Sequence, residues 1–250
     1  MSCSKDEDNT IKKTFVLVHG AWQAGWVWQD VKTQLESYGQ TVWVVELPAH
    51  GADTTPPLNT SIDIYRDKVI GTINKINGKV ILVGHSMGGM VVSAVAEKIP
   101  NQIEKLVYIG AFLPANGQSL LDLANTDLQS HLGPSLIPAD SGLTLDIIPD
   151  SIVNIFCQDG SAQTKQLVLS KFEKEPAIPF QNKVTLTAAA FGSINKYYIK
   201  TLQDHAVGPD LQDRMITAAG ISKVYPIASG HCPFLTMPNT LSEILLTIIK

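Results

Sequence analysis

Val80-Ile81-Leu82-Val83-Gly84-His85-Ser86-Met87-Gly88-Gly89 decides the fold of this chain. The first four residues are apolar and mostly β-branched, the pattern of a buried strand. The strand runs into Gly84-His85-Ser86-Met87-Gly88, and Met90 to Lys98 reads as a helix. Gly-x-Ser-x-Gly between a strand and a helix is a tight turn that lifts a serine hydroxyl above a parallel sheet. Gly84 and Gly88 suit it because side chains there would clash in so sharp a bend. The helix that follows aims its first amides at Ser86, where negative charge develops in acyl transfer. Alone, the five-residue pattern also occurs in ordinary glycine-rich turns after Rossmann-like strands. The flanking strand and helix carry the reading.

Working outward, strand-like and helix-like segments alternate. Thr14–Val18 predicts a strand ending at His19-Gly20, and Trp26 to Tyr38 a helix stopped by Gly39. Thr41 to Glu46, Lys79 to Val83 and Lys105–Ile109 predict further strands, with a helix over Ser61 to Ile76. Repeated βα units imply an α/β protein with a mostly parallel sheet and helices on both faces. From Phe112 to about Phe191 the rhythm breaks among Pro114, Pro134, Pro138, Pro149, Pro176 and Pro179. Amphipathic stretches at Leu120 to Leu132 and Ala162 to Phe172 make this a mainly helical insertion after the fourth predicted strand. The rhythm returns with a strand at Lys196–Thr201, a helix near Asp210 to Ala219 and a strand at Lys223 to Ile227. Pro238-Asn239-Thr240 opens the last helix, where Thr240 and Glu243 have capping-box spacing. The expected organisation is a tail over 1–11, a core over 12–112 and 192–250, and a cap over 113–191.

A chain of 250 residues with 44% hydrophobic and 17% charged residues buries a large core as one domain. A net charge of −4 without a basic cluster argues against a nucleic-acid partner. No apolar run approaches membrane-spanning length. The polar start, Met1-Ser2-Cys3-Ser4-Lys5-Asp6-Glu7-Asp8-Asn9-Thr10, reads either as a disordered tail or as the mature start of a bacterial lipoprotein. In the second case Cys3 is a lipid anchor and the protein belongs to the cell envelope or periplasm; the first leaves a cytoplasmic location open. The odd count of cysteines argues against a disulfide framework, and Cys157 and Cys232 read as packing residues.

A serine hydroxyl needs a base, and the base needs a third group to fix its tautomer. On this kind of sheet the chain order is Ser, acid, His, and ligands bind at the carboxyl ends of the strands. Of six histidines, His19, His50 and His85 come too early, His131 falls in the insertion and His205 adjoins an acid candidate. His231, in Ser229-Gly230-His231-Cys232-Pro233 after the last strand, is the candidate base. Asp204 is the candidate acid. Asp210 reads as a carboxylate at a helix start, and Asp213 lies within that helix. The two oxyanion amides are expected from Met87 and, in the loop His19-Gly20-Ala21-Trp22, from Ala21. Gly20, Trp22, Phe112, Leu113, Leu121, Leu128, Phe156 and Phe234 are candidates to line an apolar pocket. No ligand spacing for a metal is present and no cofactor is expected.

Phe15-Val16-Leu17-Val18-His19-Gly20-Ala21-Trp22-Gln23-Ala24-Gly25-Trp26-Val27-Trp28 resembles the opening of the α/β-hydrolase group that holds plant methyl esterases, the salicylate-binding esterase and hydroxynitrile lyases. Gly84 to Gly89, Ala111-Phe112-Leu113-Pro114, Phe191-Gly192-Ser193, Asp204 and His231-Cys232-Pro233-Phe234-Leu235 with Pro238 fit the same group, which has bacterial members. The resemblance implies an α/β-hydrolase fold, a triad of Ser86, Asp204 and His231, and a cap over a largely apolar pocket. The lyases carry threonine where Gly20 stands and lysine where Cys232 stands, so the resemblance favours an esterase over a cyanohydrin lyase. Plant esterases often have histidine at the Gln23 position, which leaves specificity at the mouth of the site open; His205, where lysine is usual, receives no role. The expectation is a serine esterase acting on an uncharged, moderately hydrophobic small-molecule ester or lactone, a macrolide-type lactone among the candidates. The rivals are a carbon–carbon lyase and a non-catalytic ligand-binding module. A homodimer is a candidate assembly.

Overall fold

A computed structural model describes residues 12–250. The readings of residues 1–11, including the Cys3 anchor, lie outside the described residues. Six strands form a parallel sheet: β1 (Thr14–Val18), β2 (Thr41–Val45), β3 (Val80–His85), β4 (Ile103–Ile109), β8 (Lys196–Thr201) and β9 (Val224–Ile227). Their order is β2-β1-β3-β4-β8-β9. Val16 pairs with Trp43 on one side and Leu82 on the other, and Leu82 continues to Leu106. Every residue of β3 is buried, as expected for a central strand covered on both faces.

The helices follow from the crossovers. The helix α1 (Gln29–Ser37) links β1 to β2, one step leftward, whereas α2 (Ile62–Ile73) and α3 (Gly88–Lys98) lead rightward to β3 and β4. Right-handed connections therefore put α1 on one face and α2 and α3 on the other. Packing agrees: α2 lies against α3. Likewise α1 lies against the C-terminal helix, here α11 (Pro238–Ile248). That helix departs from expectation at its start. Its N-cap is Met237 with no side-chain cap, so Thr240 sits inside the first turn and forms no capping box. Proline at the first helical position already supplies the fixed φ and lacks the orphan donor.

Between β4 and β8 the chain forms α4 (Leu120–Ala124), α5 (Leu132–Ser135), α6 (Pro149–Phe156), α7 (Ala162–Lys171) and α8 (Ile178–Gln181). It also forms an antiparallel sheet of β5 (Leu136–Ala139), β6 (Thr144–Ile147) and β7 (Glu175–Pro176), so helices are only part of it. The expected helix over Leu120 to Leu132 breaks after Ala124. Asp127 there turns its carboxylate onto the amides of Gln129 and Gly208, which ends the helix and docks the turn on the core. Two further helices complete the core, α9 (Pro209–Ala218) after β8 and the short α10 (Pro233–Thr236) after β9.

Candidate active site

Ser86 stands between β3 and α3 at φ +52°. A serine in the left-handed region is strained and persists only where its surroundings hold it. They do: its amide meets the Ile109 carbonyl, and its own carbonyl accepts from Gly89 and Phe112. The glycines are required by contact. A Cβ on Gly88 would stand 2.7 Å from the His19 carbonyl oxygen, and one on Gly20 would stand 2.7 Å from Ser86 Cβ. The elbow and the loop after β1 therefore touch backbone to backbone.

Asp204 follows β8 and is 2% exposed. Its Oδ1 accepts from the amides of Ala206 and Val207, both at 2.8 Å. Its Oδ2 accepts from Thr201 Oγ1 at 2.6 Å and from His231 Nδ1 at 2.8 Å. With its Nδ1 proton committed to the carboxylate, His231 keeps a lone pair on Nε2, the form a general base requires. His231 comes from the loop after β9, 27 residues from its acid. His85, next to Ser86 in the chain, seats it: His85 Nε2 donates to the His231 carbonyl at 2.9 Å and the rings lie 4.5 Å apart. Burial, then the nearby His231, holds His85 well below the usual histidine range, so His85 is neutral. No hydrogen bond joins Ser86 to His231 among the described residues; such bonds commonly tighten only around bound substrate.

The amides of Ala21 and Met87 have no acceptor among the described residues, although both residues are buried. Met87 directly follows Ser86, and Ala21 directly follows Gly20, where an added Cβ would stand 2.7 Å from Ser86 Cβ, so the two loops expected to supply oxyanion donors meet at the serine. Trp22, next to Ala21, is held at φ +58°. Its amide donates to Glu175 Oε2 at 2.9 Å and its indole Nε1 to the Leu145 carbonyl at 2.9 Å. Glu175 also binds His50 Nε2 at 2.8 Å. Sequence reasoning missed this pair, and its only signal was a glutamate beside Pro176 inside the insertion.

The apolar candidates divide. Trp22 packs on Phe156 and Phe180 at 5.9 and 5.5 Å between ring centroids, and Phe156 lies 5.9 Å from the His231 ring. Phe112 and Leu121 line a cavity of about 100 Å³ that also holds Phe180 and Ala206. Three candidates are corrected. Leu128 is 95% exposed because the turn anchored by Asp127 carries it outward. Leu113 faces α9, where its amide meets Met215 Sδ and it lines a separate cavity of about 450 Å³. Phe234 is core: it packs on Trp28 and edge-on to His85, supporting the histidine from beneath.

Asp213 pairs with Lys200 at 2.6 Å, and Asp210 lies in the first turn of α9. His205 donates to the Asn154 carbonyl and lies 4.4 Å from the His131 ring. Gln23 Nε2 meets Cys232 Sγ at 3.1 Å. Cys157 and Cys232 are buried free thiols. Among the described residues, no three His, Cys, Asp or Glu side chains are placed to hold a metal ion. No helix among them is long and apolar enough to cross a membrane.

The model of the alpha/beta hydrolase family matches residues 15–244. Putative methylesterase 13, chloroplastic, of Arabidopsis thaliana is 34% identical over 255 residues, a match covering 94% of this chain but only 56% of that protein. The alpha-hydroxynitrile lyase of the same plant is 31% identical over 263 residues, covering 95% of this chain and 97% of the lyase. Among solved structures, an extracellular alpha/beta-hydrolase from a Paenibacillus species, described as sharing structural and functional homology with tobacco salicylic acid binding protein 2, superposes with a TM-score of 0.81. It is 26% identical and covers 94% of this chain and 98% of its own.

Proposed function

The chain belongs to the alpha/beta hydrolase family, and on that premise we propose that it is a serine carboxylic-ester hydrolase working through an acyl-enzyme. The observation that carries the reading is the Asp204–His231 pair at 2.8 Å, seated by His85 beside a serine held at φ +52°. In this mechanism Ser86 Oγ attacks the ester carbonyl as His231 Nε2 takes its proton. The Ala21 and Met87 amides receive the charge on the carbonyl oxygen. His231 then protonates the departing alkoxide, and water repeats the sequence on the acyl-enzyme. Asp204 holds the tautomer and faces the imidazolium while it lasts.

The aromatic wall of Trp22, Phe156 and Phe180 favours an uncharged, moderately hydrophobic ester or lactone. A family that contains both esterases and a lyase leaves two chemistries to separate. Cys232 follows the base, with its thiol buried and engaged by Gln23, so no cation stands there to stabilise departing cyanide. That supports hydrolysis. The test is p-nitrophenyl acetate cleavage by the wild type and by Ser86→Ala, with mandelonitrile in parallel. Cleavage lost in the variant is the expected result. Cyanide release by the wild type overturns hydrolysis in favour of the lyase, and inactivity toward a panel of esters and lactones overturns catalysis.

A further inference from the structure

We propose that Glu175 is a positioning residue for the oxyanion amide of Ala21, acting with His50 and His19 as one buried relay. The inference rests on the esterase reading above, in which Ala21 is an oxyanion donor. It begins with the two peptide groups on either side of Ala21. The peptide following it donates through Trp22 N–H to Glu175 Oε2 at 2.9 Å. The peptide preceding it presents the Gly20 carbonyl to His19 Nδ1 at 2.8 Å. In a trans peptide the N–H points opposite the C=O. The atom that holds the Gly20 carbonyl therefore also aims the Ala21 N–H.

Hydrogen-bond chemistry sets the protonation of each ring. His19 Nε2 accepts from the Leu47 amide at 3.1 Å, so His19 is neutral and its single proton sits on Nδ1, where the Gly20 carbonyl needs it. His50 is the reverse. Its Nδ1 faces the Pro48 carbonyl at 2.9 Å and its Nε2 faces Glu175, so both nitrogens donate and the ring is a cation. Burial opposes that charge, but the Glu175 carboxylate outweighs it and pushes His50 up to about 9. Burial, reinforced by the charge of His50, pushes His19 down to about 3. The two rings lie 4.9 Å apart. Glu175 thus grips one peptide directly and, through the His50 cation, keeps His19 in the state that grips the other.

The loop does not hold this shape by itself. Trp22 is a bulky residue at φ +58°, and its amide, its indole N–H and its ring are all held by residues from 145 to 180. Glu175 lies 153 residues from Trp22 in sequence and is fully buried.

The experiment compares wild type, Glu175→Gln and Glu175→Asp, with rates normalised to reactive Ser86 counted by an organophosphate titrant. kcat and KM are read with p-nitrophenyl acetate, and affinity with an alkyl trifluoromethyl ketone, whose serine adduct carries the oxyanion. Loss of one oxyanion donor costs about a hundredfold or more in rate. A mispositioned donor is expected to lower kcat and ketone affinity together by about tenfold or more, with KM within about threefold of wild type. A purely structural role would instead lower the count of reactive serine and leave kcat per site unchanged. If the Glu175 variants do not fold, His50→Gln, which keeps the Glu175–Trp22 bond, is read the same way with the same expectation. The two readings fail separately. Cleavage by Ser86→Ala, or none by wild type, defeats the esterase reading. If both controls hold while the variants keep kcat and ketone affinity within about twofold, the relay alone is overturned.

Discussion

Asp204→Asn isolates the tautomer from everything else in the site. The asparagine amide has two orientations. With its oxygen at the Oδ1 position, it still accepts from the Ala206 and Val207 amides, both 2.8 Å away. Its NH2 then replaces Oδ2, facing Thr201 Oγ1 and His231 Nδ1. The reversed orientation sets NH2 against two backbone donors, and each buried donor left unpaired costs about 1–3 kcal/mol. The first orientation therefore wins. Thr201 adapts by accepting from the new NH2 and donating to Gln212 Oε1 at 3.3 Å. His231 has no such freedom: its Nδ1 must now accept, so its proton moves to Nε2, where Ser86 needs a lone pair. The expected loss in kcat is about 10,000-fold, or about 5.5 kcal/mol in barrier. Stability is expected to fall by only about 2 kcal/mol, the scale of one hydrogen bond to a charged group. Hydrolysis of p-nitrophenyl acetate gives the first quantity and urea unfolding the second. A folded variant that keeps more than about a tenth of the wild-type kcat refutes the assignment of Asp204.

Three further outcomes follow from contacts and charge states. Gly88→Ala places a Cβ 2.7 Å from the His19 carbonyl oxygen and 3.0 Å from that of Val18; thermal and urea unfolding should show a loss of about 1–3 kcal/mol, with kcat falling as the elbow and the first loop are forced apart. His19, held down to about 3 by burial and then by His50, takes up a proton near 6.5 only when unfolded, so stability present above pH 6.5 should be lost by several kcal/mol as pH falls toward 3; a flat profile in urea titrations between pH 7 and 4 would contradict a buried neutral His19. His50 has the opposite sign: raised to about 9 against burial by Glu175, it contributes stability that is complete below pH 6.5 and lost as pH rises through about 9, on the order of 3 kcal/mol. The groups facing it are Glu175 and Glu173 from the β7 side, His19 from the loop after β1 and Tyr65 from α2, and the alkaline loss should shrink in Glu175→Gln.

Much of the core was legible because its determinants are local. Thr14–Val18 and Lys196–Thr201 emerge with the boundaries expected of them: Phe15 to Val18 is an unbroken apolar run closed by His19-Gly20, and Tyr197 to Ile199 gives the second strand an apolar centre between polar ends. The insertion was less legible. Its strands are two to four residues long, too short for a period to show, and pair only because the rest of the fold brings them together. Pocket residues suffered most. Apolar character marks Leu128 and Phe234 alike, yet one is 95% exposed and the other fully buried beneath His85.

From order and spacing alone, the chain declares a parallel α/β sheet, a serine on a sharp bend, and an acid and a histidine from later loops. Each is written within a few neighbouring residues, where backbone sterics and hydrophobic periodicity act. Tertiary structure alone decided what those groups are bonded to, and so how they are charged. Two early histidines beside the first loop became one neutral ring and one cation because burial removed water from both and a glutamate far along the chain arrived to pair with only one of them. Protonation is set by the dielectric and the partners around a group, and those exist only once the chain has closed on itself.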